Sequence, residues 1–309
     1  MSSRNLLTMR EKSVNIKMVI DMKKIHIFNP AAGKDKRMPE ISEGEIYITK
    51  SVGDAESFVK DVCEKEDAHF IVHGGDGTIS EVVNGIIKAK AEERCLFSVV
   101  PKGTGNDFVR SAEENTKIDV IKFNNSYCIN SLNTGLDLRV VEEMEKAKKI
   151  PFVKGSFAYI LGVLSVLFKH IGERWKITVE DISGKIENFS NEEYSLALFA
   201  NGSFYGGGFN AAPLASLTDG AIDLIVIRKV SKLTLLKLIL AYRAGKHFKD
   251  GKIAEKFKKY LIYKKCVKAT IENINGICSD GEIIKTDRAE ISILKNKLCY
   301  NTSGGQNEK

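Results

Sequence analysis

A chain of 309 residues, 43% hydrophobic and 28% charged, is long enough for two domains with a core each and has the profile of an ordinary soluble globular protein. Its formal charge of +7 and pI near 8.9 favour anionic partners without choosing between nucleic acid, anionic lipid headgroups and nucleotides. The first 21 residues lack the apolar core of a secretory signal, and the longest apolar stretch, Ser156 to Phe168, falls short of the roughly 20 residues that cross a bilayer. The six cysteines (63, 95, 128, 266, 278 and 299) form no C-x-x-C pair and meet no histidine at zinc spacing. That predicts a reducing, cytoplasmic compartment and no structural metal held by thiols.

In chain order, residues 1–21 read as an extension before a cleaner start at Met22 or Met18. "KIHIF" (24–28) alternates like a strand and runs into the Pro/Gly loop "NPAAGK". "EIYIT" (45–49) is a second strand, followed by an amphipathic helix on Ala55, Phe58, Val59 and Val62 with Asp54 placed to cap it. Phe70-Ile71-Val72 is a buried strand; the turn "GGDG" follows, then a helix on Ile79, Val82, Val83 and Ile86. Thr78 and Glu81 have capping-box spacing, which predicts a helix start at Thr78. "CLFSVV" (95–100) is the next strand and ends in a second open turn, "PKGTGNDF". Strands alternating with helices predict a parallel sheet with flanking helices, and three open loops at the strand ends predict one ligand site built from all three.

Beyond residue 127 the texture changes. "KITVED", "YSLALFA", "AIDLIVIR", "KATIEN" and "EISIL" read as strands linked mostly by turns, with helices expected near 156–170 and from Ser231 to about His247. An antiparallel, largely β second domain follows, while the packing of the final strand stays open. The expected boundaries are 22–127 for the α/β domain with these loops, 128–300 for a β-rich domain and 301–309 for a polar, disordered tail.

The chemistry starts with Gly74, Gly75 and Gly77 around Asp76. Backbone N–H groups at a helix start favour an anion, and Asp76 among them would repel bare phosphate but could hold a magnesium ion attached to it. No G-x-G-x-x-G or G-x-x-x-x-G-K-[ST] run is present. Lys102 and Arg110 flank the second turn as candidate phosphate counter-charges, against the plainer reading of each as a solvated surface residue.

The ordered set "NPAAG" (29–33), "GGDGT" (74–78), "PKGTGNDF" (101–108), "YGGGF" (205–209), "LTDGAID" (217–223) and "DGE" (280–282) resembles the bacterial diacylglycerol kinase-like lipid kinases over residues 23 to about 297. The resemblance implies an α/β nucleotide-binding domain, a β-sandwich-like second domain, a cleft between them, and ATP-dependent phosphorylation of a lipid hydroxyl at a membrane surface. It implies ATP contacts at Asn29, Pro30, Ala31, Ala32, Gly33, Thr49, Gly75, Asp76, Gly77, Thr78, Ile79, Ser80, Glu81 and Thr104. Ala32 departs from the serine often found there, which removes one hydroxyl donor. The resemblance also implies a mainly structural magnesium ion at Ser216, Asp219 and Ala221, the first and last through backbone carbonyls. Glu282 is expected to be the general base, with Asp280 beside it as the alternative and Asp76 at the metal across the cleft.

Diacylglycerol is the default acceptor. The rivals are a sphingoid base, ceramide or phosphatidylglycerol, then an NAD kinase or a silent nucleotide- or lipid-binding regulator. No nucleic acid and no transmembrane segment are expected; a homodimer is left open. The stretch 231–249 sets Leu233, Leu236, Leu240 and Tyr242 near Lys232, Lys237, Arg243, Lys246 and Lys249. It reads either as a helix lying on an anionic surface or as one packed in the second domain with a solvated face.

Overall fold

The structure, a computed structural model, describes residues 22–33, 37–38, 40–102, 106–113, 115–148 and 172–301. The expected extension 1–21, Thr104, the helix expected over 156–170 and residues 302–309 of the tail lie outside the described residues. The described residues of Met1–Val120, Leu217–Gly220 and Leu294–Lys309 form one compact unit, and those of Ile121–Ser216 and Ala221–Ile293 form a second.

In the first unit β1 (Lys23–Phe28), β2 (Glu45–Ile48), α1 (Asp54–Cys63), β3 (Ala68–Gly74), α2 (Asp76–Lys88), β4 (Leu96–Pro101) and a short α3 (Asp107–Ser111) follow one another. The sheet is parallel in the order β2-β1-β3-β4. Every residue of β3 is buried, as a central parallel strand covered on both faces requires. Ile79, Val82, Val83 and Ile86 of α2 are buried at helical spacing. Phe97, Phe108 and Tyr300 cluster at 5.1–5.7 Å between ring centroids.

β5 (Thr116–Phe123) carries the chain onward. The second unit then holds β6 (Ser126–Cys128), β7 (Ser131–Gly135), α4 (Leu136–Lys148), β8 (Lys176–Glu180), β9 (Ile186–Phe189), β10 (Tyr194–Ala200), β11 (Ile222–Arg228) and α5 (Lys232–Arg243). A two-residue hairpin, β12 (Phe248–Lys249) and β13 (Lys252–Ile253), leads to β14 (Leu261–Cys266), β15 (Lys268–Glu272), β16 (Ile277–Ser279), β17 (Glu282–Ile284) and β18 (Arg288–Tyr300). One antiparallel sheet runs β14-β11-β10-β7-β16-β17; β9-β8-β15 continues antiparallel into the first half of β18.

Period-two alternation explains why β10 is buried along its whole length. Ala197 and Phe199 join Trp175, Leu224, Ile271 and Ile291 in one apolar cluster, while Leu196, Leu198 and Ala200 join Leu235, Leu238 and Tyr242 in another. One face of the sheet meets the facing strands and the other is covered by α5. The class is an α/β domain with a parallel sheet, followed by an antiparallel β-sandwich-like domain.

The final strand, left open by sequence, serves both pairings. Lys268 to Glu272 pair with Ser292 to Arg288, and farther along Cys299 and Tyr300 lie parallel to Leu96 and Phe97.

Candidate active site

Parallel pairing of β1, β3 and β4 brings the loops at their carboxyl ends to one edge of the sheet. Asn29 anchors the first loop: its N–H donates to the His73 carbonyl (3.1 Å) and its Oδ1 accepts from the Ala31 N–H (2.8 Å). Its Nδ2 donates to Thr78 Oγ1 (2.9 Å), which ties the loop to the helix start of the second. The Lys102 N–H donates to the Gly74 carbonyl (3.1 Å), joining the third loop to the second. Gly33, at φ +66°, completes the knot, because a Cβ there would lie 1.9 Å from the Lys102 carbonyl oxygen. Pro30 and Ala31 are exposed and Ala32 half-buried on the same loop, and Thr49, just past β2, is buried with its N–H on the Phe28 carbonyl (2.9 Å).

The helix after the glycine turn starts earlier than its capping-box spacing suggests. α2 begins at Asp76 with extended Gly75 as its N-cap, and no side chain caps it. Glu81 is drawn elsewhere: its two oxygens accept the N–H groups of Gly53 (3.0 Å) and Ala55 (3.1 Å) at the start of α1. That also corrects Asp54, which is the first residue of α1 and not its cap; Asp54 instead accepts Tyr47 Oη (2.9 Å) and the Lys50 N–H (2.7 Å). A glutamate across a helix pair outcompetes the local box because two orphan donors are held by one charged side chain.

The first-turn N–H groups of Asp76, Gly77 and Thr78 have no acceptor within the helix, by helix geometry. A Cβ built on Gly77 would meet nothing within 4 Å, so an approaching group has room beside those donors. Thr78 and Ile79 are buried, and Ser80 gives its carbonyl to Asn84 Nδ2 (2.9 Å). The Asp76 carboxylate accepts from the N–H groups of Asp107 (3.3 Å) and Phe108 (3.1 Å), holding the start of α3 against the glycine turn. Lys102 Nζ donates to the Arg37 carbonyl (3.0 Å) and sits 4.9 Å over the Phe28 ring, while Arg110 lies 3.8 Å from Asp107.

In the second unit, Asp280 and Glu282 have different surroundings. Asp280, at φ +46°, is half-buried, and its carboxylate accepts from the N–H groups of Ile129 (2.9 Å), Asn130 (3.0 Å) and Ser131 (3.0 Å) and from Cys128 Sγ (3.1 Å). Withdrawal from water pushes its carboxyl up while these donors pull it down, and the net shift is upward. Glu282 is exposed at the start of β17. Tyr205 and Phe209 exchange backbone hydrogen bonds around the three glycines between them, and Tyr205 Oη donates to Asp137, whose carboxyl is pushed up to about 6 by withdrawal from water.

Asp219 is exposed, Ser216 half-buried and Ala221 buried. Behind the Asp219-Gly220 turn, buried Asp119 accepts the N–H groups of Gly220 (2.6 Å) and Asn296 (2.7 Å), and its carboxyl is raised first by burial and also by the charge of Asp219. Carboxylate, backbone carbonyl and water oxygens are the donors a hard cation takes, and Asp219 at this turn is an exposed carboxylate. Among the described residues no three His, Cys, Asp or Glu side chains converge as a metal set, so an ion here would draw on backbone carbonyls and water as well.

Family comparison agrees with this geometry in extent and order. The model of the diacylglycerol kinase catalytic domain matches residues 25–128, and that of the YegS C-terminal NAD kinase beta sandwich-like domain matches residues 130–286. The chain belongs to the diacylglycerol kinase family of lipid kinases. Among the relatives of this family member, a diacylglycerol kinase of Staphylococcus epidermidis is 31% identical over 253 residues, 74% of this chain and 77% of that one. One from Staphylococcus aureus is 30% identical over 254 residues, again 74% and 77%. The crystal structure of a diacylglycerol kinase from Bacillus anthracis superposes with a TM-score of 0.62 at 21% identity, covering 91% of this chain and 97% of that one, which shows the shared fold.

Two carboxylates next to the candidate site segments escape the sequence reading. Asp119, in "KIDVIKF", is a carboxylate buried in an apolar strand, and that misplaced polarity is the one signal available. Asp137 lies in the first turn of α4 just after β7 and carries no signal until Tyr205, 68 positions away, is placed on it.

Proposed function

We propose that this family member transfers the γ-phosphoryl group of ATP to a lipid hydroxyl, with diacylglycerol as acceptor and phosphatidic acid as product. The observation that carries the reading is the three-loop knot, Asn29 to Thr78 and Lys102 to Gly74, which holds the first turn of α2 with its N–H donors beside Asp76. Phosphoryl transfer depends mainly on positioning and charge neutralisation, and a fixed row of amides supplies positioning for the phosphates. Asn29, Pro30, Ala31, Ala32, Gly33 and Thr49 are assigned to the nucleotide side and the turn from Gly75 to Ser80 to the phosphate side, with Glu81 behind it as a clamp on α1. Asp76, oriented by the two N–H groups of α3, would hold a magnesium ion that neutralises phosphate charge. Asp219, with the carbonyls of Ser216 and Ala221, would hold the structural ion.

On the acceptor side, Glu282 takes the proton as the lipid oxygen bonds to phosphorus and the bond to the leaving diphosphate breaks. Asp280 is already saturated by three N–H groups and a thiol, so its part is to position the turn that carries Glu282. The names of the Staphylococcus relatives support diacylglycerol as the acceptor.

The test is incubation with labelled ATP and, separately, diacylglycerol, a sphingoid base, ceramide, phosphatidylglycerol and NAD, with products separated by thin-layer chromatography. Labelled phosphatidic acid alone is expected. Label on another acceptor reassigns the substrate, and tight ATP binding without any labelled product overturns the reading in favour of a silent regulator.

A further inference from the structure

α5 is apolar on two opposite faces, and among the described residues only one of them is packed into the core. Leu235, Leu238 and Tyr242 are buried, whereas Leu233, Leu236 and Leu240 are 76%, 46% and 65% exposed. At about 100° per residue the two triplets are centred roughly 160° apart, so the exposed leucines form a stripe pointing away from the core. Helix propensity does not require it, since lysine or glutamate would serve as well at solvent-facing sites. An unpartnered stripe of three leucines needs another explanation.

Charge supplies it. Residues 232–259 hold nine lysines and arginines against two acids, a net charge of +7 equal to that of the whole chain. The remaining 281 residues are therefore balanced, and the basic excess of the protein is concentrated in this helix and the hairpin after it. Lys237 flanks the leucine stripe on one side and Lys232 and Arg243 on the other, by their helical positions, while Lys246, Lys249 and Lys252 stand exposed just beyond. Among the described residues none of these six cations is in an ion pair, although 22 such pairs are formed elsewhere. Arg243 instead lies 5.7 Å from the Phe209 ring.

We propose that the outer face of α5 is a docking surface for an anionic phospholipid bilayer, with Leu233, Leu236 and Leu240 entering the interface and the cations of 232–252 meeting the headgroups. A flat apolar stripe bordered by uncompensated cations suits a lipid surface better than a nucleic acid, which would leave the leucines in water. It suits a second copy poorly, because a symmetric pairing would set like charges against each other. The inference rests on the helix and its charge and not on the kinase reading.

The experiment is co-sedimentation, without ATP, with vesicles of phosphatidylcholine alone and of phosphatidylcholine mixed with phosphatidylglycerol. The protein should pellet with the mixed vesicles at low salt, and lose that binding near 1 M salt, where the screening length is about 3 Å. Substituting all three leucines (Leu233→Ser, Leu236→Ser, Leu240→Ser) should weaken binding at least tenfold at an unchanged melting temperature, because these side chains are outside the core. A separate charge variant, Lys237→Glu with Lys246→Glu and Lys249→Glu, should remove the preference for the anionic vesicles. Failure of the parent to bind, or equal binding by both variants, overturns the proposal. So does a dimer in sedimentation velocity that the leucine variant converts to monomer, since the stripe would then be covered by a second copy. A failed phosphorylation assay with intact vesicle binding would sink the kinase reading and leave this one standing.

Discussion

Asp280 and Glu282 are separated by one glycine, yet one is saturated with donors and the other stands exposed. Their replacement should therefore give different phenotypes. Glu282→Gln is expected to lower kcat by about 10² to 10⁴ while leaving ATP affinity and unfolding midpoint near the parent values, because only the proton acceptor is lost. Near-parental turnover would remove Glu282 from the role. Asp280→Asn keeps the shape and tolerates the left-handed backbone, but turns an amide donor toward backbone N–H groups. A loss of about 1.5–3 kcal/mol in urea unfolding is expected, the worth of a charge-assisted hydrogen bond. A collapse of kcat in that variant with stability intact would instead move the base to Asp280.

Glu81 works at the level of elements, lying on α2 and holding the start of α1. Glu81→Ala should cost about 1 kcal/mol, in the range of a lost helix cap, and appear as a lower melting temperature. If the variant instead loses ATP affinity with its melting temperature unchanged, Glu81 is a ligand contact and not a clamp. The segment between Ser216 and Ala221 presents the complementary case, in which Asp119 fixes the turn and Asp219 faces solvent. With magnesium structural, Asp219→Asn should raise the magnesium concentration needed for full thermal stability, and a chelator should lower the parent's melting temperature more than the variant's. Equal chelator sensitivity of the two proteins would refute the ion at this turn.

For the molecule as a whole, acid is the informative perturbation. His69, His73 and His247 are buried, and their imidazoles are lowered to about 4 chiefly by burial, from a free value of 6.5. The unfolded chain binds more protons than the folded one between those values. Their contribution is therefore complete above about pH 6.5 and is lost as pH falls toward 4, up to roughly 3 kcal/mol for each. Asp137, raised to about 6, acts in the opposite sense, since the folded state holds its proton and gains relative stability as pH falls. A single substitution separates the two: His73→Asn should be less destabilised than the parent on going from pH 7 to pH 5, as read from urea midpoints. Parallel midpoint shifts in the two proteins would show that His73 is not held neutral.

The α/β class of the first domain, the β character of the second and the three open loops at the strand ends were legible in the sequence because each rests on local periodicity and turn chemistry. The parallel strands read as short apolar runs, and the glycine turns announced themselves by composition. Long-range competition decided the rest. The Thr78–Glu81 spacing satisfied a local rule, but Gly53 and Ala55 offered Glu81 two orphan donors from a neighbouring helix. Thr78 was then free to accept from Asn29, 49 positions away. α5 shows the same limit: its sequence places leucines all round the helix, and only packing selects Leu235, Leu238 and Tyr242 for the core and leaves Leu233, Leu236 and Leu240 in water. Sequence alone determined which side chains were available to bind phosphate, cation or lipid. Tertiary structure decided which were already engaged, because a carboxylate or an apolar face is committed by whichever partner the fold brings within reach.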